Sequence, residues 1–145
     1  MNIKLIILLI FIPYLAISHE VNMEDKSVEK IVKERMANMS KIKAYSSKMY
    51  PLAMASEFDE VKLINEELLH AAKDFKQLFP EGSQGGKASD LIWEDRETFD
   101  LYNDNFIKSI EDIGLSIENQ DSVSLMANFN IMASNCVTCH KKFRN

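Results

Sequence analysis

The only two cysteines of the 145-residue chain fall in one short run, Cys136-Val137-Thr138-Cys139-His140, close to its end. A Cys-x-x-Cys-His run is the signature of covalent c-type haem attachment. On a helix, positions i, i+3 and i+4 share one face, so both thiols and the imidazole can address one flat macrocycle. The two sulfurs bond the porphyrin's vinyl-derived carbons, and His140 then lies against the iron as proximal ligand. Three other chemistries use such residues. A thioredoxin-like pair opens a helix beside a βαβ pattern, whereas this pair comes late in a helical stretch. A structural zinc needs four ligands, and only His19 and His70 remain outside the run. A disulfide within one helical turn closes too short a loop to add much. The run therefore points to one haem c, with its iron, per chain.

Such a group needs helices to wall it. Apolar residues recur at alternating steps of three and four, the seam of a bundled helix rather than the alternation of a strand. The first stripe is Val28, Val32, Arg35, Met39, Ile42 and Met49, and is expected to stop at Pro51. The second opens at Ser56-Glu57-Phe58-Asp59, a variant capping box, and runs through Val61, Ile64, Leu68, Ala72, Phe75 and Leu78 before Pro80. Three of the four glycines follow in PEGSQGGK, a loop. The third stripe starts at Ser89 as N-cap and carries Ile92, Phe99, Tyr102, Phe106, Ile110, Ile113 and Ile117. The fourth, capped by Asp121, carries Leu125, Phe129, Met132, Cys136, Cys139 and Phe143, which puts both cysteines on the core seam. Four helices with mostly short connections predict an all-α, antiparallel up-down-up-down four-helix bundle enclosing one covalently bound haem.

Length and charge narrow the class further. Hydrophobic residues make up 46% and charged residues 27%, which suits one domain. Lys+Arg 17 against Asp+Glu 22 leaves a net charge of −5, so nucleic acid is not an expected partner. Residues 1–18 read as a cleaved signal peptide: Lys4, an apolar run from Leu5 to Ile17, then Ala16 and Ser18 as the small residues before the cut. The domain would then span 19–145, start at His19, carry a charge of −6 after the loss of Lys4, and have no membrane span. Export to the periplasm agrees with c-type haem attachment outside the cytoplasm. An acidic surface overall suggests a basic docking patch on a redox partner protein, with binding weakened by salt.

The chain resembles the class II cytochromes c, that is, cytochrome c prime and its low-spin relatives of the cytochrome c-556 type. The likeness runs through Arg35-Met36-Ala37-Asn38-Met39, then Leu78-Phe79-Pro80-Glu81-Gly82-Ser83, Ile92-Trp93-Glu94-Asp95 and Phe99. It closes on Cys136 to Arg144 and covers nearly all of 19–145. The resemblance implies the four-helix bundle, in which cytochrome c prime is a known example. It also implies a sixth coordination position. In the low-spin members a methionine matching Met39 binds iron opposite the histidine, whereas cytochrome c prime proper holds another apolar residue there. Spacing alone leaves Met39 as either core filler or ligand, since methionine packs adaptably and the chain has eight of them. Met36 lies off the stripe, and Met132 shares a helix with His140 and so cannot easily reach the opposite haem face. The arginine matching Arg35 lies near the haem propionates in the family, and a guanidinium suits paired bonds to a carboxylate. The alternative for Arg35 is a side chain that leads its charge out to water. Trp93, Phe99, Phe129 and Phe143 are expected as core aromatics, and His70 as a solvated residue.

The expectation is an exported one-electron carrier with axial ligands His140 and Met39 and anchors Cys136 and Cys139, not an enzyme. The rival is a five-coordinate protein of the cytochrome c prime type that binds nitric oxide or carbon monoxide at the iron. A redox-silent bundle without haem is the third reading. Some family members form homodimers through their first two helices, and the sequence leaves that open.

Overall fold

The computed structural model describes the chain from residue 23, with side chains from residue 28. The expected leader 1–18 and its cut before His19 lie outside the described residues. Five helices follow: α1 (Met23–Met54), α2 (Phe58–Lys76), α3 (Leu91–Glu94), α4 (Arg96–Glu118) and α5 (Ser122–Phe143). Helix α1 packs on α2, α2 on α4, α4 on α5, and α5 returns to α1, which closes a four-helix bundle with α3 as a one-turn lead into α4. Of the four seams, that between α1 and α5 is the thinnest. Short turns reverse the chain at residues 55–57 and 119–121, so sequence neighbours run antiparallel. Among the described residues, no helix is long and apolar enough to cross a membrane.

Three helix ends differ from the sequence expectation. Pro51 does not stop the first helix, which continues to Met54. The burial of Ala53 and the packing of Leu52 on the core hold this last turn. Ser56 is not the first residue of a capping box. It adopts a left-handed φ of 59°, with Ser56 N–H donating to Ala53 O and Glu57 N–H to Leu52 O, the paired bonds of a Schellman terminator. The Ser56 hydroxyl is 2.7 Å from that of Ser122, and α2 opens at Glu57 without a side-chain cap. The third stripe is two helices, not one. Asp95 breaks it at φ −124° and ψ 58°, caps α4 by accepting from Thr98 N–H, and takes Lys142 Nζ at 2.6 Å. Asp121 caps α5 as expected, accepting from Val123 and Ser124 N–H.

Apolar burial is divided between two clusters. The larger runs through the middle of the bundle, with Met49, Val61, Leu68, Ile110, Ile113 and Leu125 fully buried. The smaller is aromatic and lies at the end of the bundle that carries Cys139: Phe79, Ile92, Phe99 and Phe143, with Phe75, Trp93 and Tyr102 against them. Its rings meet edge to face, Phe79–Phe99 at 4.7 Å and Phe99–Phe143 at 5.3 Å between centroids, the arrangement aromatic quadrupoles favour. Phe129 belongs to the larger cluster and touches the ring of Tyr50 on α1.

Candidate haem site

Cys136, Cys139 and His140 stand in the last two turns of α5. Both thiols are free and half-buried, and Cys139 packs against the aromatic cluster. Burial, and then the neighbouring Cys136, push the Cys139 thiol up to about 11, and burial also raises that of Cys136. A thioredoxin-like pair requires the opposite shift, because the thiolate is its nucleophile. Among the described residues, no group of three or more His, Cys, Asp or Glu side chains could hold a metal ion by itself. His140 is exposed, and its pKa is lowered by partial burial and then by the charge of Arg144, so the imidazole is neutral at pH 7 and able to coordinate.

The register of the α1–α5 seam follows from one contact. Tyr50 of α1 meets Phe129 of α5, ring centroids 5.4 Å apart. The two helices run in opposite directions. Eleven residues back along α1 is Met39, and eleven residues on along α5 is His140; at about 3.6 residues per turn each step is close to three whole turns and preserves the face. Met39 and His140 therefore come to the same level on the two helices that border the thinnest seam. Met39 is half-buried on the edge of the main core, while Met36 is 63% exposed. Met132 is buried in the main core.

Arg35 does not lead its charge to water. It is 6% exposed, and its guanidinium is wrapped by the loop between α2 and α3. Nε and Nη2 donate to Leu78 O at 3.1 and 3.0 Å, and Nη2 also donates to Ser83 O at 2.9 Å and Ser83 Oγ at 3.1 Å. The Phe79 ring lies 4.2 Å beneath it. Burial lowers the pKa of Arg35, although a guanidinium remains charged throughout the physiological range. Ser83 and Phe79 went unnoticed in the sequence as partners of Arg35; the signal was the buried cation on the first stripe, which has to find acceptors somewhere. Arg144, one turn beyond His140, was likewise visible only as part of the final basic run.

A groove of about 350 Å³ lies elsewhere, lined by Glu34, Ala37, Asn38 and Lys41 of α1 with Asp74, Gln77 and Leu78. It contains neither cysteine nor His140 and is not the haem site. The donor set on the other seam suits a haem: two thiols and an imidazole on one helical face, a thioether at the same level on α1, and aromatic rings beside the second thiol. These features define a class II c-type cytochrome. The sequence profile of the cytochrome c′ family matches residues 30–144, and the chain belongs to that family, whose members carry haem c with its iron. Solved structures agree on the fold. A structure named cytochrome c′ superposes with a TM-score of 0.77 at 23% identity, covering 81% of this chain and 97% of that one. The nitric oxide complex of a point variant of cytochrome c prime from Alcaligenes xylosoxidans gives 0.78 at 23%, covering 81% and 96%. A second variant from that organism, ferrous and with bound NO, gives 0.78 at 22%, covering 81% and 95%. No curated protein matches the chain in sequence.

Proposed function

We propose that the protein is an exported, periplasmic one-electron carrier and not an enzyme, its haem anchored by Cys136 and Cys139 and ligated by His140 and Met39. The observation that supports this is the seam register, which brings Met39 on α1 level with His140 on α5 at the end of the bundle that holds both thiols. When bound, the haem would supply a ferric/ferrous couple, and an imidazole together with a thioether as its ligands would raise the potential. The protein's own contribution is positional. Helix α5 presents the anchors and the neutral imidazole, α1 presents Met39, and the aromatic cluster lowers the polarity beside Cys139. Arg35, held by the loop, stands one turn before Met39, with Nη1 the least committed of its nitrogens: its single hydrogen bond, to Gly85 O, is long at 3.5 Å.

A second reading has its own support. The Alcaligenes structures are nitric oxide complexes, so a protein of this fold accepts a diatomic gas. The visible spectrum of the reduced holoprotein, before and after carbon monoxide, separates the two. Low-spin bands that carbon monoxide leaves unchanged are expected, and Met39→Leu is expected to lose them and gain carbon monoxide binding. High-spin bands in the unmodified protein that convert on adding the gas would overturn Met39 ligation in favour of a gas-binding iron.

A further inference from the structure

The net charge of −5 conceals a strong segregation. From residue 35 to 56, the chain of α1 and its terminator carries Arg35, Lys41, Lys43 and Lys48 and no carboxylate side chain. From 122 to 145, α5 and the C-terminal residues carry Lys141, Lys142 and Arg144, again with no carboxylate side chain. The intervening segment 57–121 holds seventeen of the 22 acidic residues against six lysines and arginines. Helices α1 and α5 are the two that border the seam of Met39 and His140, so the acidic bulk of the molecule lies behind it on α2 and α4.

The cations at this seam are exposed and uncommitted. By the register of Tyr50 and Phe129, Lys43 stands opposite Cys136, one turn beyond Met39. Lys141 adjoins His140. Lys87 is held beside the end of α5, because its carbonyl accepts from Asn145 N–H and its neighbour Ala88 bridges to Arg144. Among the described residues, Lys43, Lys87, Lys141 and Arg144 enter no ion pair, whereas Lys142 is engaged with Asp95 and the acids Glu29 and Glu34 of α1 are engaged with Lys33 and Lys30. The neighbouring loop contributes Glu81 and Asp90, too few to cancel the excess. Between the lysines, Val137 is 69% and Met36 is 63% exposed. An apolar centre with a charged rim is the anatomy of a transient protein interface.

We infer that this basic seam face is the docking surface for an acidic redox protein, the reverse of the polarity that net charge alone suggests. The inference rests on the electron-carrier reading. A local field of one sign steers encounter even when the whole molecule carries the other, and the acidic far side helps turn the basic face toward an acidic partner. An anionic lipid surface would be attracted too, but it offers the electron no acceptor. A second copy placing its acidic side here would make a head-to-tail contact that need not close.

The test uses reduced holoprotein and stopped-flow oxidation. One electron leaves the protein and reduces the probe, with no proton or covalent bond transferred. The probes are hexacyanoferrate(III), tris(phenanthroline)cobalt(III) and an acidic blue-copper protein in its Cu(II) form. Attraction at the face predicts that rates with the ferricyanide and the acidic copper protein fall, by about tenfold or more, as salt rises, while the cobalt rate increases. Lys43→Glu/Lys87→Glu/Lys141→Glu should reverse those slopes. Lys62→Glu/Lys73→Glu/Lys108→Glu, an equal change of charge on α2 and α4, should leave their sign intact. Lys→Gln at the first three positions gives the same direction with smaller amplitude and less risk to folding. Slopes that follow net charge, or a far-face variant as effective as the seam variant, would overturn the inference alone. Failure of every probe to oxidise the protein would instead sink the carrier reading. Salt-sensitive flotation with phosphatidylglycerol vesicles, or salt-sensitive self-association in sedimentation, either one abolished by the seam variant and accompanied by no salt effect with the copper protein, would assign the face to lipid or to a second copy and overturn the proposal.

Discussion

Replacing Arg35 with methionine removes a cation that the loop 78–85 is built around. The guanidinium donates to the carbonyls of Leu78 and Ser83 and to the Ser83 hydroxyl, and it covers the Phe79 ring at 4.2 Å. A hydrogen bond from a charged donor contributes about 1.5–3 kcal/mol net, but the total is less than the sum because the variant no longer has to desolvate a charge. Some of the freed carbonyls also regain water, since only part of the network is fully buried. The expected loss is about 3–5 kcal/mol, since each buried acceptor left without its donor costs about 1–3 kcal/mol and Leu78 O, Ser83 O and Ser83 Oγ all lose one. Against a total stability of about 5–15 kcal/mol that is a large fraction, and it corresponds to a fall of roughly 15 °C in Tm for a domain of this size. Thermal unfolding of the holoprotein by far-ultraviolet circular dichroism reads the loss, and limited proteolysis should locate new cleavage within residues 81–87. Arg35→Lys should recover less than half of it, because an ammonium is a point charge that cannot span the same set of acceptors. A methionine variant within about 1 kcal/mol of the parent, with an altered haem potential, would refute the loop-latch argument and leave the arginine a role only toward the haem propionates.

Three further outcomes follow from backbone and charge. Gln120 terminates α4 in a left-handed conformation at φ 50°, and Gln120→Gly should raise stability by about 1 kcal/mol in urea unfolding, the steric cost of a side chain there. Gly86 has φ +67°, and a Cβ built on it would lie 3.1 Å from Val32 Cγ1, whereas Gly82, at φ +76°, has open space around it. Gly86→Ala should therefore cost more than Gly82→Ala in the same assay, about 2 against about 1 kcal/mol, and equal losses would remove the contact from the account. The hydrogen bond from Lys142, and then that from Thr98, hold the Asp95 carboxyl below its ordinary pKa. Its contribution is present above the unfolded value, about 4, and is lost as pH falls through the lower folded one, so the stability gap between the parent and Asp95→Asn should be full at pH 7 and close on acidification below about pH 4.

The parts of the molecule legible from sequence are those governed by periodicity and by a fixed spacing of reactive groups. Steps of three and four along Leu125, Phe129, Met132, Cys136, Cys139 and Phe143 mark α5 and its inward face, because a helix has one geometry and its apolar stripe must go inward. The cysteines and His140 were legible because attachment chemistry dictates their spacing. Helix ends were less so. Ser56 and Asp59 have the residue types of a capping box, yet the chain uses Ser56 to end α1, a choice decided by the turn between two packed helices and not by local preference. Asp95 reads as an ordinary surface acid within a continuous stripe. It breaks the helix because Lys142, distant in sequence, and Thr98 N–H offer it better bonds than a helical turn would. The partners of Arg35 were hidden for the same reason: they are carbonyls of a loop forty or more residues away, and a carbonyl has no sequence signature.

That loop explains how the functional end of the bundle is held together. Helix packing is thinnest between α1 and α5, the helices that carry Met39 and His140, so side-chain interdigitation alone gives this seam the least support. The chain compensates with the segment between α2 and α3. Its carbonyls at Leu78 and Ser83 bind Arg35 of α1, while Phe79 O accepts from Arg96 Nη1 of α4 at 2.7 Å. At its far end, Ser89 N–H donates to Phe143 O of α5, and Ala88 bridges to Arg144. One irregular segment thus ties α1, α4 and α5 together at the level of the cysteines. These ties hold α1 and α5 together at this end although the seam between them is thin, which is compatible with the haem c of the family. Shortening or loosening this loop should therefore disturb the haem spectrum before it disturbs the helix content of the bundle, because its ties converge on the seam while the buried residues of the main core, from Met49 to Leu125, all lie outside it.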